Sequence, residues 1–375
     1  AFSVLARAGQ LAASGKDIIN LGIGQSDFRT PQHIVEAGIK ALQDGAHGYT
    51  PSMGLPELRQ TVSDDIKMRY QQDVSPELIQ IVPGGKPVMF TAMMLLGGAG
   101  QEILTPDPAF PIYQSAINYS GATAVPYGLI EENGFAFDAE DVLSKITDKT
   151  SLILINSPAN PTGGTTPKSE MDKFIKGMEK FPNVKILSDE IYDRLIFSGQ
   201  PLSLLTYPEI RDRLIVLNGW SKTYAMTGWR IGYGIWPSEL IDYADRLAVN
   251  VHSCVNAATQ HAAITALTGD QSCVDEMLVA FRRRAALISN LLNDIDGISC
   301  QAPSGAFYAF ANIKNTAFSS MAFQEKALEN YGVACISGTS FGGFGEGYIR
   351  LSCANSDEAI TEAVSRLKQM ISDNA

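Results

Sequence analysis

Six short apolar runs punctuate the chain as far as residue 237: ELIQIVPGG, QEILTP, SLILINSP, NVKILSDE, DRLIVLNG and RIGYGIWP. Their apolar residues come in blocks rather than alternating with polar ones, which predicts strands covered on both faces. Most of the runs are separated by stretches with helical spacing, such as PVMFTAMMLLGG and PKSEMDKFIKGMEKF. This order predicts an α/β fold with a buried, mostly parallel sheet, in which ligands gather at the carboxyl ends of the strands. The polar residues that follow the runs are therefore where chemistry is expected: Gly84-Gly85-Lys86, Asp107, Asn156 to Asn160, Asp189 and Lys222. From about residue 282 the texture changes to a long helix (RRRAALISNLLNDI), short strands around GAFYAFANI and GYIRLSCA, and a closing helix from Ser356. A large domain is expected at 41–281, with a smaller α+β domain made from both chain ends, 1–40 and 282–375.

Composition narrows the class. With 45% hydrophobic and 18% charged residues over 375 positions, the chain can bury a large core and intrinsic disorder is excluded over most of it. A net charge of -11 opposes nucleic acid or an acidic membrane as the main partner. The longest apolar stretch, Val88 to Leu96, is too short to cross a bilayer, and AFSVLARAGQLAASGKD lacks the apolar core of a signal peptide. A soluble, cytoplasmic protein is expected. The five cysteines, at 254, 273, 300, 335 and 353, form no CxxC pair and have no histidine at metal spacing, so packing is their expected role and no metal site is expected.

Four segments carry candidate chemistry. In GWSKTYAMTGWRIGYG, Lys222 sits among small and apolar residues with Arg230 eight positions on. A lysine beside apolar walls and another cation becomes a nucleophilic amine able to form a Schiff base, whereas a lone lysine elsewhere is ordinarily a solvated charge. Asp189 ends a strongly apolar strand with Tyr192 three residues later. It reads either as a helix cap or as the partner of a protonated ring nitrogen, with the tyrosine hydroxyl reaching a neighbouring oxygen. PGGKPVMF places two glycines before a helix with Pro87 in its first turn, which is either a tight turn or a phosphate cradle that Arg230 would complete. SPANPTGG displays Asn160 on a loop stiffened by two X-Pro steps, which is either a rigid turn or a means of presenting Asn160 as a donor to a ring oxygen or a substrate carboxylate.

Together these residues carry a family resemblance. Asn160-Pro161-Thr162-Gly163, Ser188-Asp189-Glu190-Ile191-Tyr192 and Ser221-Lys222-Thr223-Tyr224-Ala225-Met226-Thr227-Gly228-Trp229-Arg230 resemble the fold type I, pyridoxal-phosphate-dependent class I/II aminotransferases. The branch of aspartate- and aromatic-aminotransferase-like enzymes is the most similar. LGIGQSDFRTP, GYTPSMGLPELR, SGAFYAF and YIRLSCANS fit the same family in the same order, so the likeness covers nearly the whole chain.

The resemblance implies a three-layer fold and a ping-pong exchange of an amino group between an L-amino acid and a 2-oxo acid, with pyridoxal 5′-phosphate as cofactor. It implies that Lys222 holds the cofactor as a Schiff base and then shuttles a proton. Asp189 would keep the ring nitrogen protonated, Asn160 and Tyr192 would bond the ring oxygen, and Phe110 would stack on the ring. The backbone around Gly85 and Lys86 would hold the phosphate together with Arg230. Tyr49 would reach the phosphate of the other subunit, which makes a homodimer with shared sites. Arg350 would clamp the substrate α-carboxylate, helped by the backbone at Gly24. Two places depart from the pattern. Gly219 stands where many relatives carry a serine that touches the phosphate, and Arg29 stands where many carry an acidic or small residue, as a surface charge or as a partner for a distal carboxylate. The competing expectation within the same fold is a carbon-sulfur β-lyase.

Overall fold

In the computed structural model, which describes residues 2–374, each of the six apolar runs forms a strand. With a seventh strand they build one sheet, in the spatial order Ile79–Val82, Gly232–Ile235, Leu214–Gly219, Lys185–Asp189, Thr150–Asn156, Glu102–Asp107 and Thr123–Gly128. Gly232–Ile235 runs antiparallel to both neighbours, and the remaining pairs are parallel. The seventh strand, TAVPYG, lies at the sheet edge with only Tyr127 buried and with Pro126 unable to donate to a ladder, so it lacks an apolar signature.

The blocks of apolar residues have a simple cause. Successive side chains of a strand point to opposite faces, so a strand covered on both sides needs apolar residues at every position. In Thr150–Asn156, Leu152 and Leu154 pack with Val88, Met89 and Ile117 from the helices Lys86–Leu96 and Ile112–Ser120. Ile153 and Ile155 pack on the other face with Leu58, Phe174 and Ala262, from Pro56–Tyr70, Lys168–Met178 and Ala257–Thr268. The result is three layers: helices, sheet, helices.

The smaller body holds an antiparallel sheet in the order Ile336–Ser337, Tyr348–Ser352, Tyr308–Asn312. Its core joins Phe281, Ile288, Phe307, Ile349, Leu351 and Leu367. The chain start belongs with it, because Ile19–Asn20 pairs with Val333–Ala334 and Val4, Ala8 and Leu11 pack against Phe310 and Leu328. The division expected at 40/41 and 281/282 is not where the helices break. Residue 40 lies inside Gln32–Gln43, which packs along Ala257–Thr268 and puts Ile34 in the large core. A helix stripe shows that a face is buried but not against which body. Ser272–Asn293 bridges the two bodies, with Val274 in the large core and Phe281 to Leu292 in the small one.

Among the described residues no helix is long and apolar enough to cross a membrane and no group of histidine, cysteine and acidic residues could hold a metal ion. The five cysteines are free thiols, three of them buried.

Gly219 pairs with Gly232 across the antiparallel ladder. A Cβ on Gly219 would lie 2.8 Å from the Gly232 Cα and 3.2 Å from the Ile231 carbonyl oxygen. The departure from serine at this position therefore has a packing cause. Gly219→Ser is expected to lower stability by about 1–3 kcal/mol, the scale of overpacking. Denaturant unfolding of the cofactor-free protein checks this, and an unchanged midpoint would show that the two strands part easily.

Candidate active site

Asp107, Asn156 and Asp189 close three adjacent strands at the same edge of the sheet, and Lys222 follows three residues after the end of a fourth. Beside this edge lies a cavity of about 340 Å³ between the two bodies. Gly24, Gly85, Lys86, Phe110, Asn160, Asp189, Tyr192, Lys222, Arg230 and Arg350 all line it. Tyr49, Arg29 and Asp107, also singled out in the sequence, do not. Tyr49 is 93% exposed on the surface, Arg29 is exposed, and Asp107 turns its carboxylate to the backbone of Gly343 and Phe344.

Lys222 projects from the tight turn after Leu214–Gly219, in which Tyr224 N donates to the Trp220 carbonyl at 3.1 Å. Its Nζ donates to the Gly24 carbonyl at 2.6 Å. Burial lowers the ammonium pKa to about 8, with Arg350 and Arg230 adding repulsion and Asp189 acting in the opposite sense. Near neutral pH this amine is far closer to its nucleophilic form than a surface lysine.

Asp189 is held from two sides: Oδ2 accepts from the Tyr113 hydroxyl at 2.6 Å and Oδ1 from the Ile191 amide at 3.2 Å. Burial pushes its carboxyl up to about 6, while those two bonds and Lys222 pull it down. Asn156 ties the neighbouring loop to this strand, because its Nδ2 donates to the Asp189 carbonyl at 3.1 Å and its Oδ1 accepts from Asn160 N at 3.0 Å.

One end of the cavity is shaped for an anion. The helix Lys86–Leu96 opens directly after Gly84 and Gly85, and the first-turn amides of a helix lack intrahelical partners. Gly84 has φ +81°, and a Cβ there would lie 2.3 Å from Arg230 Nη2. A Cβ on Gly85 would lie 2.8 Å from Leu217 Cδ2, so any side chain at either glycine would intrude on the cradle. Ser221 and Thr227 add hydroxyls to the same lining, and the Phe110 ring packs edge-on against Tyr113 with centroids 5.7 Å apart.

The other end is built around Arg350, 6% exposed on the strand Tyr348–Ser352. Its guanidinium lies 4.4 Å from the Tyr308 ring centre and 4.8 Å from that of Phe341. Nη1 donates to Asn160 Oδ1 at 2.9 Å and Nη2 to the Gly22 carbonyl at 2.6 Å, while Nε is buried with no hydrogen-bond partner. Tyr192 donates or accepts at the Tyr308 hydroxyl, 2.8 Å away. A Cβ on Gly24 would lie 2.2 Å from that Tyr308 oxygen, which explains a glycine there.

Tyr113, Tyr308, Phe341 and Ser221 were not assigned roles from the sequence. Ser221 and Tyr308 stand inside motifs already singled out. Tyr113 and Phe341 become visible only when the fold brings them to Asp189 and Arg350.

A glycine cradle with cations, a carboxylate whose burial favours a cationic neighbour, and a nucleophilic amine between them fit an aldehyde-bearing, phosphorylated pyridine. The class is that of pyridoxal-phosphate-dependent enzymes acting on amino groups. Comparison with known proteins agrees: residues 16–367 match the family described as aminotransferase class I and II. The aspartate aminotransferase of Pyrococcus horikoshii is 39% identical over 96% of this chain and 92% of its own length. The crystal structure of the aspartate aminotransferase from Rhizobium meliloti superposes with a TM-score of 0.94 at 31% identity, over 100% of this chain and 96% of that one. An aromatic aminotransferase from Pyrococcus horikoshii gives a TM-score of 0.92 at 33% identity, over 98% and 99%. The chain belongs to the class I and II aminotransferase family, and is a pyridoxal-phosphate-dependent aminotransferase.

Tyr113→Phe removes a donor from the ionised Asp189 and is expected to move its pKa further up from about 6. It should also cost about 1–3 kcal/mol of stability in the cofactor-free protein at neutral pH. Carbon-13 NMR of labelled aspartate, with thermal unfolding alongside, reads both effects; an unmoved titration would mean that the hydroxyl does not support this carboxylate.

Proposed function

We propose that the enzyme exchanges an amino group between an L-amino acid and a 2-oxo acid by a ping-pong sequence, as a cytoplasmic homodimer. The observation that carries this reading is the sharing of one cavity by Lys222, Asp189 and Arg350, with the lysine pKa lowered to about 8. Bound there, pyridoxal phosphate supplies an electron sink that eases breaking and remaking of the amino acid's Cα–H bond.

The residues divide the work. Lys222 would hold the cofactor through Nζ and, once free of it, would accept and return the proton at Nζ. Asp189 would pair with the cofactor's ring nitrogen, whose positive charge would draw the carboxyl back toward its ionised form. Asn160 and Tyr192 would hydrogen-bond the ring oxygen, and Phe110 would pack against the ring. The backbone at Gly85 and Lys86, with Arg230, would hold the phosphate. Arg350 receives the substrate α-carboxylate with the backbone at Gly24, and its unpartnered Nε supports that role. Tyr49, exposed on a single chain, reaches the neighbouring subunit's phosphate, which makes the two sites composite. In the two-domain division we propose, the small domain joins the chain start up to the loop before Gln32–Gln43 with the chain from Phe281 onward.

The test is a half-reaction. Purified enzyme mixed with an L-amino acid and no acceptor should release one 2-oxo acid per site and then stop, and adding a 2-oxo acid should restart it. Lys222→Ala should lose both the covalent attachment and the burst, and borohydride reduction should place the label of the wild-type enzyme on the Lys222 peptide. Label on a different lysine would contradict the assignment. Continuous release of ammonia and pyruvate from a cysteine conjugate would assign the enzyme to β-lyase chemistry instead.

A further inference from the structure

We propose that Asp107 is a positioning residue for Arg350, acting through a latch that fixes the Phe341 side of the guanidinium pocket. The proposal rests on the reading of Arg350 as the α-carboxylate receptor. Asp107 stands at the functional edge of the sheet, yet its side chain does not line the cavity. Its two carboxylate oxygens instead take the successive amides of a glycine-rich loop in the small body, Oδ2 from Gly343 at 2.9 Å and Oδ1 from Phe344 at 3.0 Å. Two residues on, Ala109 N donates to the Phe341 carbonyl at 2.8 Å. Three hydrogen bonds therefore join the segment 107–109 to the segment 341–344.

The consequence falls on Arg350. A guanidinium that must meet a carboxylate in a bidentate fork has to be fixed in its plane as well as in its position. Tyr308 walls one side and is itself held by the strand pairing of Tyr308 with Ser352 and by the Tyr192 hydroxyl. Phe341 walls the arginine from outside any strand, at the end of the short helical turn Gly338–Phe341, so the three bonds to 107–109 set its place. Gly342 is shaped around the same contact: its φ is +137°, and a Cβ would lie 2.1 Å from Asp107 Oδ1. Only glycine lets the carboxylate reach the two amides beyond it. Phe110 follows Asp107 by three residues and lines the cavity, so the latch also ties the wall of the proposed ring site to the wall of the arginine.

The experiment uses the holoenzyme and compares L-alanine with ethylamine, which lacks the carboxylate, in single-turnover half-reactions. The variants are Asp107→Asn, which keeps one acceptor oxygen, Gly342→Ala, which pushes on the latch from the other side, and Arg350→Lys as reference. Cofactor content, the visible band and the melting temperature are recorded for each. Asp107→Asn and Gly342→Ala should each weaken L-alanine about tenfold, leave ethylamine within about twofold, and keep the cofactor band, as expected for a misaligned fork. If both variants keep the wild-type preference for L-alanine over ethylamine while Arg350→Lys loses it, the latch does not position the arginine. Equal weakening of both compounds together with a lowered melting temperature would make the contact merely structural and overturn the proposal. If Arg350→Lys itself keeps the preference, the carboxylate reading of Arg350 fails and the proposal with it.

Discussion

An ammonium moved out of water into a walled cavity loses hydration that one carbonyl cannot replace. Lys222 meets this condition beside two guanidinium groups, and the fall in its pKa from 10.5 to about 8 corresponds to roughly 3 kcal/mol against the charged form. A base whose folded-state pKa is depressed destabilises the fold below that value, and the penalty fades as pH rises from about 8 toward 10.5. At neutral pH the protein carries this strain in full. The surrounding structure supports it: a sheet buried on both faces, with the lysine turn anchored to its edge. Asp189 is strained in the opposite sense, since burial disfavours its negative charge. A cationic ring nitrogen and an electrophilic carbonyl relieve both, so two groups that cost the folded chain stability are the ones that favour its cofactor.

The same economy governs the donors of the site. Arg350 and Lys222 rest on the Gly22 and Gly24 carbonyls of the N-terminal segment, so their strongest donors are satisfied while they remain desolvated. Tyr308 packs its ring against the Arg350 guanidinium and shares a hydrogen bond with the Tyr192 hydroxyl. The large body thus supplies the lysine, the carboxylate and the anion cradle, and the small body supplies the arginine with its two aromatic walls. A site assembled this way depends on the contacts that hold the two bodies together: Arg350 to Asn160, Lys222 to Gly24 and Tyr192 to Tyr308 inside the cavity, and Asp107 to Gly343 and Phe344 beside it.

Much of this was legible in the sequence because burial on both faces writes itself as unbroken apolar runs, and SLILIN, KILSD and LIVLNG each became a central strand ending at the site. Ten candidate residues converge on one cavity; Asp189 and Lys222 reach it because they stand at or just past the ends of such strands, whereas Gly24 and Arg350 are brought to it by the smaller body. The edge strand Thr123–Gly128 escaped for the converse reason, since a half-covered strand with a proline carries no such run. The partner of the helix Gln32–Gln43 was not legible, because the stripe Ile34, Gly38, Ala41 announces a buried face without naming what covers it, here Ala257–Thr268. Tyr113 was invisible because its importance comes from a carboxylate that the fold places 2.6 Å away across 76 positions, and Phe341 because no motif marks the ring that the fold sets 4.8 Å from the Arg350 guanidinium.

The central claim, that burial and neighbouring cations hold Lys222 as a ready nucleophile, is tested most directly by titrating that one amine. Cofactor-free enzyme is treated across a pH series with an uncharged acylating reagent, and modification of the Lys222 peptide is quantified by mass spectrometry. The account predicts a rate that reaches half its plateau near pH 8, and a midpoint displaced upward by Arg350→Gln, which removes a repelling charge. A rate still climbing beyond pH 10 with no inflection, unmoved by that substitution, would contradict it.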